Sequence, residues 1–390
     1  AYKYRIYPKD SQKTTLSNMF SMCRHLYNWN LQERIDIYKS EKRTISYNEQ
    51  QNALPKLKKE RPWFKGVYSQ VLQDALKRLD KAYKRFFRQK KGFPKFKKKG
   101  QWSSITYSQF GTKPVDGFVD IPKLGKVKLV YHRDIPEDAL VKTLTISEDG
   151  GKWFACFSLD LPDQKEPKQK LTKTIGIDLG IKSFIYTRDN DVISPPRFLK
   201  SSCKNIAKLQ RKLSRTQKRT PAYRKCLKTL QKAYYQLKCK RLDFFYKQSY
   251  EIFEKEDIVV VEELDIGNMT KRPKAVKDEK TGEFLPNGAK NKSKLNTLIY
   301  DSSWGNFLRI LKETAKKLGK LVVSVPSAYT SQQCSNCLEL VKKSLSTRTH
   351  KCPHCEYEDD RDANAAKNIL RLVTESLGFT LEATTILQCS

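Results

Sequence analysis

Residues 2–7, "YKYRIY", alternate apolar and basic side chains, the period-two pattern of a half-buried strand, and Pro8 ends it. The period then changes. Leu16, Met19, Phe20, Cys23, Leu26 and Tyr27 recur at three- and four-residue steps and predict one face of a helix. A second such stripe runs through "SQVLQDALKRLDKAYKRFFRQKK". Val71 or Leu72, Leu76, Leu79, Tyr83 and Phe86 fall on one face, and Ser69 is placed to cap its start. "KGFPKFKKKG", 91–100, closes this helical region with Gly and Pro. From about 101 to 170 the period returns to two. "SSITYSQF", "KVKLVYH", "VKTLTISED" and "KWFACFSLDL" predict strands of a small β-barrel or sheet that also takes in the N-terminal strand.

A third region opens at "KTIGIDLGIKSFIYT", read as a strand, a Gly-flanked turn and a second strand. Residues 203–256 are helical and strongly basic. "EDIVVVEELDI" contains a fully apolar run from Ile258 to Val261, as expected of a central strand buried on both faces. Residues 267–297 are polar and poor in apolar side chains. They predict a mobile loop, either a lid or an inert linker. A helix at 303–318, the strand "KLVVSVP" and a helix after Asp362 complete the pattern.

The chain carries 77 Lys+Arg against 42 Asp+Glu, a formal charge of +35 over 390 residues. Any one Lys run is explained by a solvated face. An excess this large calls for a polyanionic partner, and DNA or RNA fits best. A membrane surface is the competing polyanion, but there is no amphipathic anchor and no apolar run near the length of a membrane span. No secretory signal is visible, and with Ala at position 1 an initiator Met is expected to have been removed.

Four of the ten cysteines form two C-x-x-C pairs, Cys334 with Cys337 and Cys352 with Cys355. The rest are scattered, which suits a reducing cytosol and one metal site rather than a disulfide framework. Four thiolates at this spacing complete a tetrahedral shell around a structural Zn²⁺, with no open position for catalysis. His350 and His354 are then surplus and predicted to face solvent.

Three acids stand out by position. Asp178 sits in the strand "IGIDLG", Glu262 ends "VVVE", and Asp362 begins the helix "DANAAKNIL", whose alanines allow close packing on a sheet. Taken singly, a strand-end acid is usually solvated and an Asp before a helix is often only a cap. Taken together, three ionised carboxylates repel unless cations lie among them. Two Mg²⁺ ions would suit such hard oxygen ligands and support hydrolysis of a phosphodiester. Asp359 and Asp360 either support that site from outside or neutralise Arg361.

Four motifs, "GIDLGIKSF", "VVVEELDIGNM", "YTSQQCSNC" and "DRDANAAKNIL", resemble the RuvC-like motifs and zinc ribbon of the TnpB family. These are RNA-guided DNA endonucleases of IS200/IS605-type transposons, related to the Cas12 nucleases. "YKYRIYP", "CRHLYNWN", "KAYKRFFR" and "GFPKFKKKG" extend the resemblance over nearly the whole chain. The family often has Gly directly after each C-x-x-C; here Leu338 and Glu356 stand there, which puts the local knuckle geometry in question.

The resemblance implies an α/β, multi-domain fold. A wedge-like β-barrel domain would cover 1–10 and 101–170, and a helical recognition domain 11–100. A RuvC/RNase H-like nuclease domain would cover 171–327 and 359–376, with a zinc ribbon inserted at 328–358 and a tail at 377–390. The resemblance places catalysis and Mg²⁺ binding on Asp178, Glu262 and Asp362, and zinc on the four paired cysteines. It turns Tyr47 and Gln73 toward a short DNA motif beside the target. The partners it implies are a guide RNA and double-stranded target DNA, held by an RNA-bound monomer in a prokaryotic cytoplasm, at the nucleoid. Lys95, Lys97, Lys98, Lys99 and the basic helices over 203–247 would track phosphates, and Phe93 and Phe96 would either stack bases or pin their loop to the core. A guided repressor that binds without cutting would be expected to lack one of the three acids. A strand-joining transposase would not share the N-terminal half.

Overall fold

The computed structural model describes residues 1–89, 92–161, 171–187, 191–195, 197–343 and 347–376. The tail expected over 377–390, and positions 162–170 at the end of the second β-rich stretch, lie outside the described residues. The chain divides into two compact units, Ala1–Gln164 with Leu213–Tyr235, and Lys165–Lys212 with Gln236–Ser390. Among the described residues no helix is long and apolar enough to cross a membrane.

The first unit begins with β1 (Tyr2–Tyr7) and four helices: α1 (Asp10–Glu41), α2 (Tyr47–Asn52), α3 (Leu54–Glu60) and α4 (Ser69–Gln89). A 3₁₀ turn, Pro62–Gly66, lies between α3 and α4. Strands β2 (Ser104–Tyr107), β3 (Phe118–Ile121), β4 (Gly125–Leu129), β5 (Leu140–Asp149) and β6 (Lys152–Asp160) follow. They join β1 in a six-stranded sheet of order β2-β5-β6-β1-β4-β3. The N-terminal strand is therefore central, paired antiparallel with β6 on one side and β4 on the other. Strands β2 and β3 stand at the two ends of the hydrogen-bonded order. Among the described residues the ladder is thus that of an open sheet and does not close as a barrel. One apolar cluster joins this sheet to α1 and α4 through Tyr4, Ile6, Leu16, Met19, Leu72, Leu76, Leu79 and Phe157.

Ser69 does not sit ahead of α4 as a cap. It is the first helical residue, and its hydroxyl accepts from Lys58 Nζ at 2.7 Å.

The second unit contains β7 (Thr174–Asp178), β8 (Ile185–Thr187) and β9 (Val192–Ile193). The long helices α5 (Arg197–Arg215) and α6 (Pro221–Lys255) come next in the chain, their stretch Leu213–Tyr235 belonging to the first unit, and then β10 (Ile258–Glu262). The segment expected to be a mobile loop is in fact built. It carries the end of the short helix α7 (Ile266–Met269), the hairpin strands β11 (Val276–Lys277) and β12 (Phe284–Leu285), and the first half of α8 (Ala289–Ser302). Asp265 starts α7 by accepting the N–H of Asn268. Helix α8 buries Ile299 alone, so it shows no apolar stripe in the sequence. Helix α9 (Trp304–Leu318), β13 (Leu321–Val325), β14 (Thr349–Lys351), β15 (Glu358–Asp360) and α10 (Arg361–Ser376) complete the unit.

Its main sheet has the order β13-β10-β7-β8-β9. Strands β13, β10 and β7 are parallel, and β8 and β9 antiparallel. Alternation assigns the two faces. Ile175, Ile177, Val259 and Val261 pack with Phe245, Phe253, Phe307, Ile310 and Leu311 from α6 and α9. On the opposite face, Ile258, Val260 and Val325 pack with Ile369 and Val373 of α10. The C-terminal half of α10 thus covers the first residues of the strands, and its N-terminus points toward their carboxyl ends.

Candidate active site and metal centre

The strand register brings the first two acids together. Val261 pairs with Ile177 in the parallel ladder of β10 and β7, which places Glu262 beside Asp178 at the strands' carboxyl ends. Adjacent strands lie ~4.8 Å apart, and paired positions share a face. Both acids project on the face that α10 covers, since Asp178 follows Gly176 by two residues and Glu262 follows Val260 by two. The main chain of α10 lies directly on Gly176: a Cβ there would stand 2.3 Å from Ala366 O. Asp362 is one helical turn before Ala366, so it reaches the same end of the sheet as Asp178.

The electrostatics show the same meeting. Burial pushes the Asp178 carboxyl up, and the negative charges of Glu262 and Asp362 push it further, to about 7. Burial also raises Glu262, against a hydrogen bond from the Thr330 hydroxyl that favours the ionised form. Asp362 accepts from Arg361 Nη2 at 2.9 Å, lies 3.7 Å from Arg348 Nη1, and donates its backbone N–H to Asp360 Oδ1 at 2.8 Å. Asp360 therefore supports the start of α10. Asp359 does not neutralise Arg361: it accepts from Lys367 Nζ at 2.8 Å and from Tyr357 OH at 2.7 Å. An open cleft of about 660 Å³ lies past the end of β10, lined by Glu263, Asp265, Pro326 and Ser327 among others, and none of the three acids lines it.

Three groups at this site carry no signal that periodicity detects. Thr330, 4 % exposed, orients Glu262. Tyr186 pairs with Asp178 across β7 and β8, and its phenol is raised by burial and by the charges of Asp360, Asp359 and Asp362. Asn364 and Asn368, both fully buried on α10, hold the chain that leads into the first cysteine knuckle. Asn364 bonds Gln333 O and the N–H of Ser335, and Asn368 bonds Thr330 O and Gln333 O. An Asn spaced four residues from another on an Ala-rich helix is the one clue that was available.

The four paired cysteines converge. Among the described residues, Cys334, Cys337, Cys352 and Cys355 are the metal-binding side chains whose ligand atoms all fall within 4.8 Å of one another. Cys334 Sγ lies 3.7 Å from Cys355 Sγ, and Cys337 Sγ 3.5 Å from Cys352 Sγ. The edge of a ZnS₄ tetrahedron with Zn–S near 2.3 Å is about 3.8 Å, so the thiols fit such an ion. Leu338 and Glu356, at φ 70° and 59°, take the left-handed turn that Gly would take at lower cost. Each still closes its knuckle, with N–H bonds to Cys334 O and Cys352 O at 3.0 Å. His354 is exposed, but His350 does not face solvent: it is fully buried, contacts Lys343 Nζ through Nδ1, and pairs across the β14–β15 ladder with Asp359. It belongs to the small core beside the four cysteines.

The residues proposed for nucleic-acid contact lie in the first unit. Tyr47 starts α2 and Gln73 lies on α4, both half-buried. Lys95, Lys98 and Lys99 are exposed. Lys97 is half-buried: its peptide is clamped by Asn28 through two bonds of 2.8 and 2.9 Å, and its ammonium lies 5.7 Å from the Tyr27 ring. Phe93 sits edge-on to Tyr83 and Phe86, yet it is as exposed as Phe96, 45 % against 47 %.

Family comparisons extend across both units. Residues 304–369 match a family described as Cas12f1-like, TNB domain, residues 156–273 one described as a probable transposase, and residues 1–43 a helix-turn-helix domain. That last span holds β1 and the single long helix α1. A protein of Streptomyces pristinaespiralis, named as a candidate RNA-guided DNA endonuclease, is 30% identical over 95% of this chain and 88% of its own length. InsQ of Escherichia coli (strain K12), similarly named, is 29% identical over 95% of this chain and 91% of its own. A Cas12f1–sgRNA–target DNA complex contains a chain of the same fold, with TM-score 0.53 and 15% identity over 90% of this chain and 81% of that one. On these grounds the chain belongs to the TnpB family of transposon-encoded proteins.

Proposed function

We propose that this protein is an RNA-guided DNA endonuclease that hydrolyses target phosphodiesters at a RuvC/RNase H-like site. The observation that carries the reading is the juxtaposition of Asp178 and Glu262 on neighbouring parallel strands with Asp362 on the helix that covers them. Burial, with the charges of Glu262 and Asp362 added, lifts the Asp178 carboxyl to about 7, so ionising all three acids together calls for cations among them. Hard carboxylate oxygens suit Mg²⁺. Asp178, Glu262 and Asp362 would hold two such ions, which supply activation of water and stabilisation of the leaving oxygen. Arg361 and Arg348, which pair with Asp362, would place positive charge beside a bound phosphate. Thr330 keeps Glu262 aimed, and Asp360 keeps the first turn of α10 in place. Zn²⁺ on the four thiols stays structural.

The charge of +35 serves the polymer. Guide RNA reads the target by pairing, while the protein holds backbones and reads a short duplex motif, the role proposed for Tyr47 and Gln73. In this reading the first unit supplies wedge and recognition functions, the second the nuclease and zinc ribbon, and the complex works on DNA in the cytoplasm. Presence of all three acids favours cutting over guided repression. The test is Asp178→Ala or Asp362→Ala in the RNA-loaded protein. Plasmid cleavage is abolished while RNA and target binding persist; loss of binding together with cleavage would show the acids to be structural.

A further inference from the structure

Of the five tryptophans, Trp102, Trp153 and Trp304 are at most 9 % exposed, but Trp29 and Trp63 are 46 % and 43 % exposed. These two share one neighbour. The His25 ring lies 5.3 Å from Trp63, edge-on, and 6.4 Å from Trp29, nearly parallel at 25°. The cluster is anchored to the core through Phe64. Trp63 stacks at 3.9 Å on Phe64, itself 1 % exposed and part of the core. Arg61 places its guanidinium 4.0 Å over the Trp29 ring and its Nη1 3.1 Å from His25 Nε2. Arginine only donates, so His25 Nε2 must accept, and burial and the nearby arginines keep that ring neutral.

The surroundings are cationic. "KLKKERPWFK", 56–65, holds four Lys and Arg61 against one acid, Glu60, which lies 4.0 Å from Lys56. Among the described residues no carboxylate pairs with Arg61. Two adjacent surface tryptophans beside an arginine without an acid are poor protein-core chemistry, but they offer what a nucleotide needs: aromatic faces for the base and a guanidinium for its phosphate.

We infer that Trp29, Trp63, His25 and Arg61 form a stacking site for an unpaired nucleotide of the bound RNA. A base already stacked in a duplex cannot offer its face, so the occupant comes from a single-stranded segment. In that reading the RNA is bound before the target is opened, so its loops and ends are the first unpaired segments to meet the site; the strand displaced from the target is the competing source, which the dT₁₂ arm tests. The inference rests on the reading that the protein carries RNA, and its test separates the two.

Full-length protein stripped of RNA in high salt is titrated with U₁₂ and A₁₂ RNA, with dT₁₂, and with a 12-base-pair RNA duplex. Intrinsic tryptophan fluorescence and Kd are followed for the wild type, Trp29→Leu/Trp63→Leu, Trp29→Phe and Arg61→Gln. The expected result is quenching by single-stranded RNA, about tenfold weaker binding in the double variant and near-normal binding in Trp29→Phe. The salt slope should be unchanged in the tryptophan variants and reduced in Arg61→Gln. Equal RNA affinity and quenching in wild type and double variant overturn the inference while leaving RNA guidance intact. Quenching by the duplex or by dT₁₂ alone overturns the assignment to unpaired RNA. Failure of the wild type to bind any RNA sinks this inference and the RNA-guided reading together.

Discussion

Gly176 on β7 meets the carbonyl oxygen of Ala366 on α10 so closely that a Cβ at position 176 would lie 2.3 Å from that oxygen and 3.0 Å from Leu370 Cβ. The contact is backbone against backbone, so no side chain can swing aside. It sets the height at which α10 rides on the sheet, and with it the reach of Asp362 toward Asp178. Gly176→Ala should force α10 outward and cost about 2 kcal/mol, in the range of core overpacking. Cleavage should fall at least tenfold, with guide RNA still bound. A melting curve and a cleavage rate check both parts; a variant as stable and as fast as the wild type would mean that α10 does not set the site's geometry.

Asp178 predicts a pH dependence of the metal-free protein. Its folded pKa, about 7, lies above the ordinary 3.8. The folded state therefore binds the proton more tightly than the unfolded chain. The stabilisation is fully present below pH ~4 and is lost as pH rises through 7. Metal-free Asp178→Asn should then match the wild type at pH 4 and melt roughly 2–4 °C higher at pH 8. Mg²⁺ should raise the melting temperature of the wild type at pH 8 and leave Asp178→Asn nearly unmoved. Thermal scans at the two pH values, with and without Mg²⁺, decide it.

Thr330 and Glu262 are joined by a hydroxyl-to-carboxylate bond inside the protein. Thr330→Val keeps shape and removes the donor, which frees Glu262 to turn and leaves a raised carboxyl without its one stabilising partner. Outer partners of metal ligands typically contribute a factor of 10–100 in metal affinity. The Mg²⁺ concentration for half-maximal cleavage should rise about tenfold in Thr330→Val and return to normal in Thr330→Ser. Mn²⁺ binding followed by electron paramagnetic resonance should show the same order. Equal metal dependence in all three proteins would reduce Thr330 to a packing residue.

The parts of this fold that were legible in the sequence are those with one strong local rule. The apolar stripes of α1 and α4, the alternation in β1, β5 and β6, and the fully apolar β10 each follow from burial on a defined face. The three acids stand out in the sequence because carboxylates at strand ends and at a helix start break those rules. Helix α8 does not, since it buries one residue and its polar stretch imitates a loop. His350 was misjudged because a ring counted as a surplus ligand can still serve as ribbon core. Thr330 and the buried asparagines leave no periodic trace because their polar partners lie far off in sequence: Thr330 and Glu262 are 68 residues apart, Asn364 and Ser335 29.

Those asparagines tie the zinc centre to the acids and yield the last prediction. Cys334 begins the first knuckle; one residue on, Ser335 N–H bonds Asn364, two residues beyond Asp362. One residue before it, Gln333 O accepts from both Asn364 and Asn368, and Asn368 also holds Thr330 O. The segment around the four cysteines has little apolar core beyond His350 among the described residues, so thiolate–metal bonds would be its main source of order. Removing zinc should therefore loosen residues 330–335 as well as the knuckles, and release Glu262 from Thr330. Cys352→Ser should lose the bound metal, expose amides 330–335 to rapid hydrogen exchange, and raise the Mg²⁺ requirement for cleavage in the same direction as Thr330→Val. The strands β7 and β10, held by their own apolar faces, should keep their protection. If exchange increases in the knuckles alone while the Mg²⁺ requirement stays fixed, the ribbon and the acids are neighbours without being coupled.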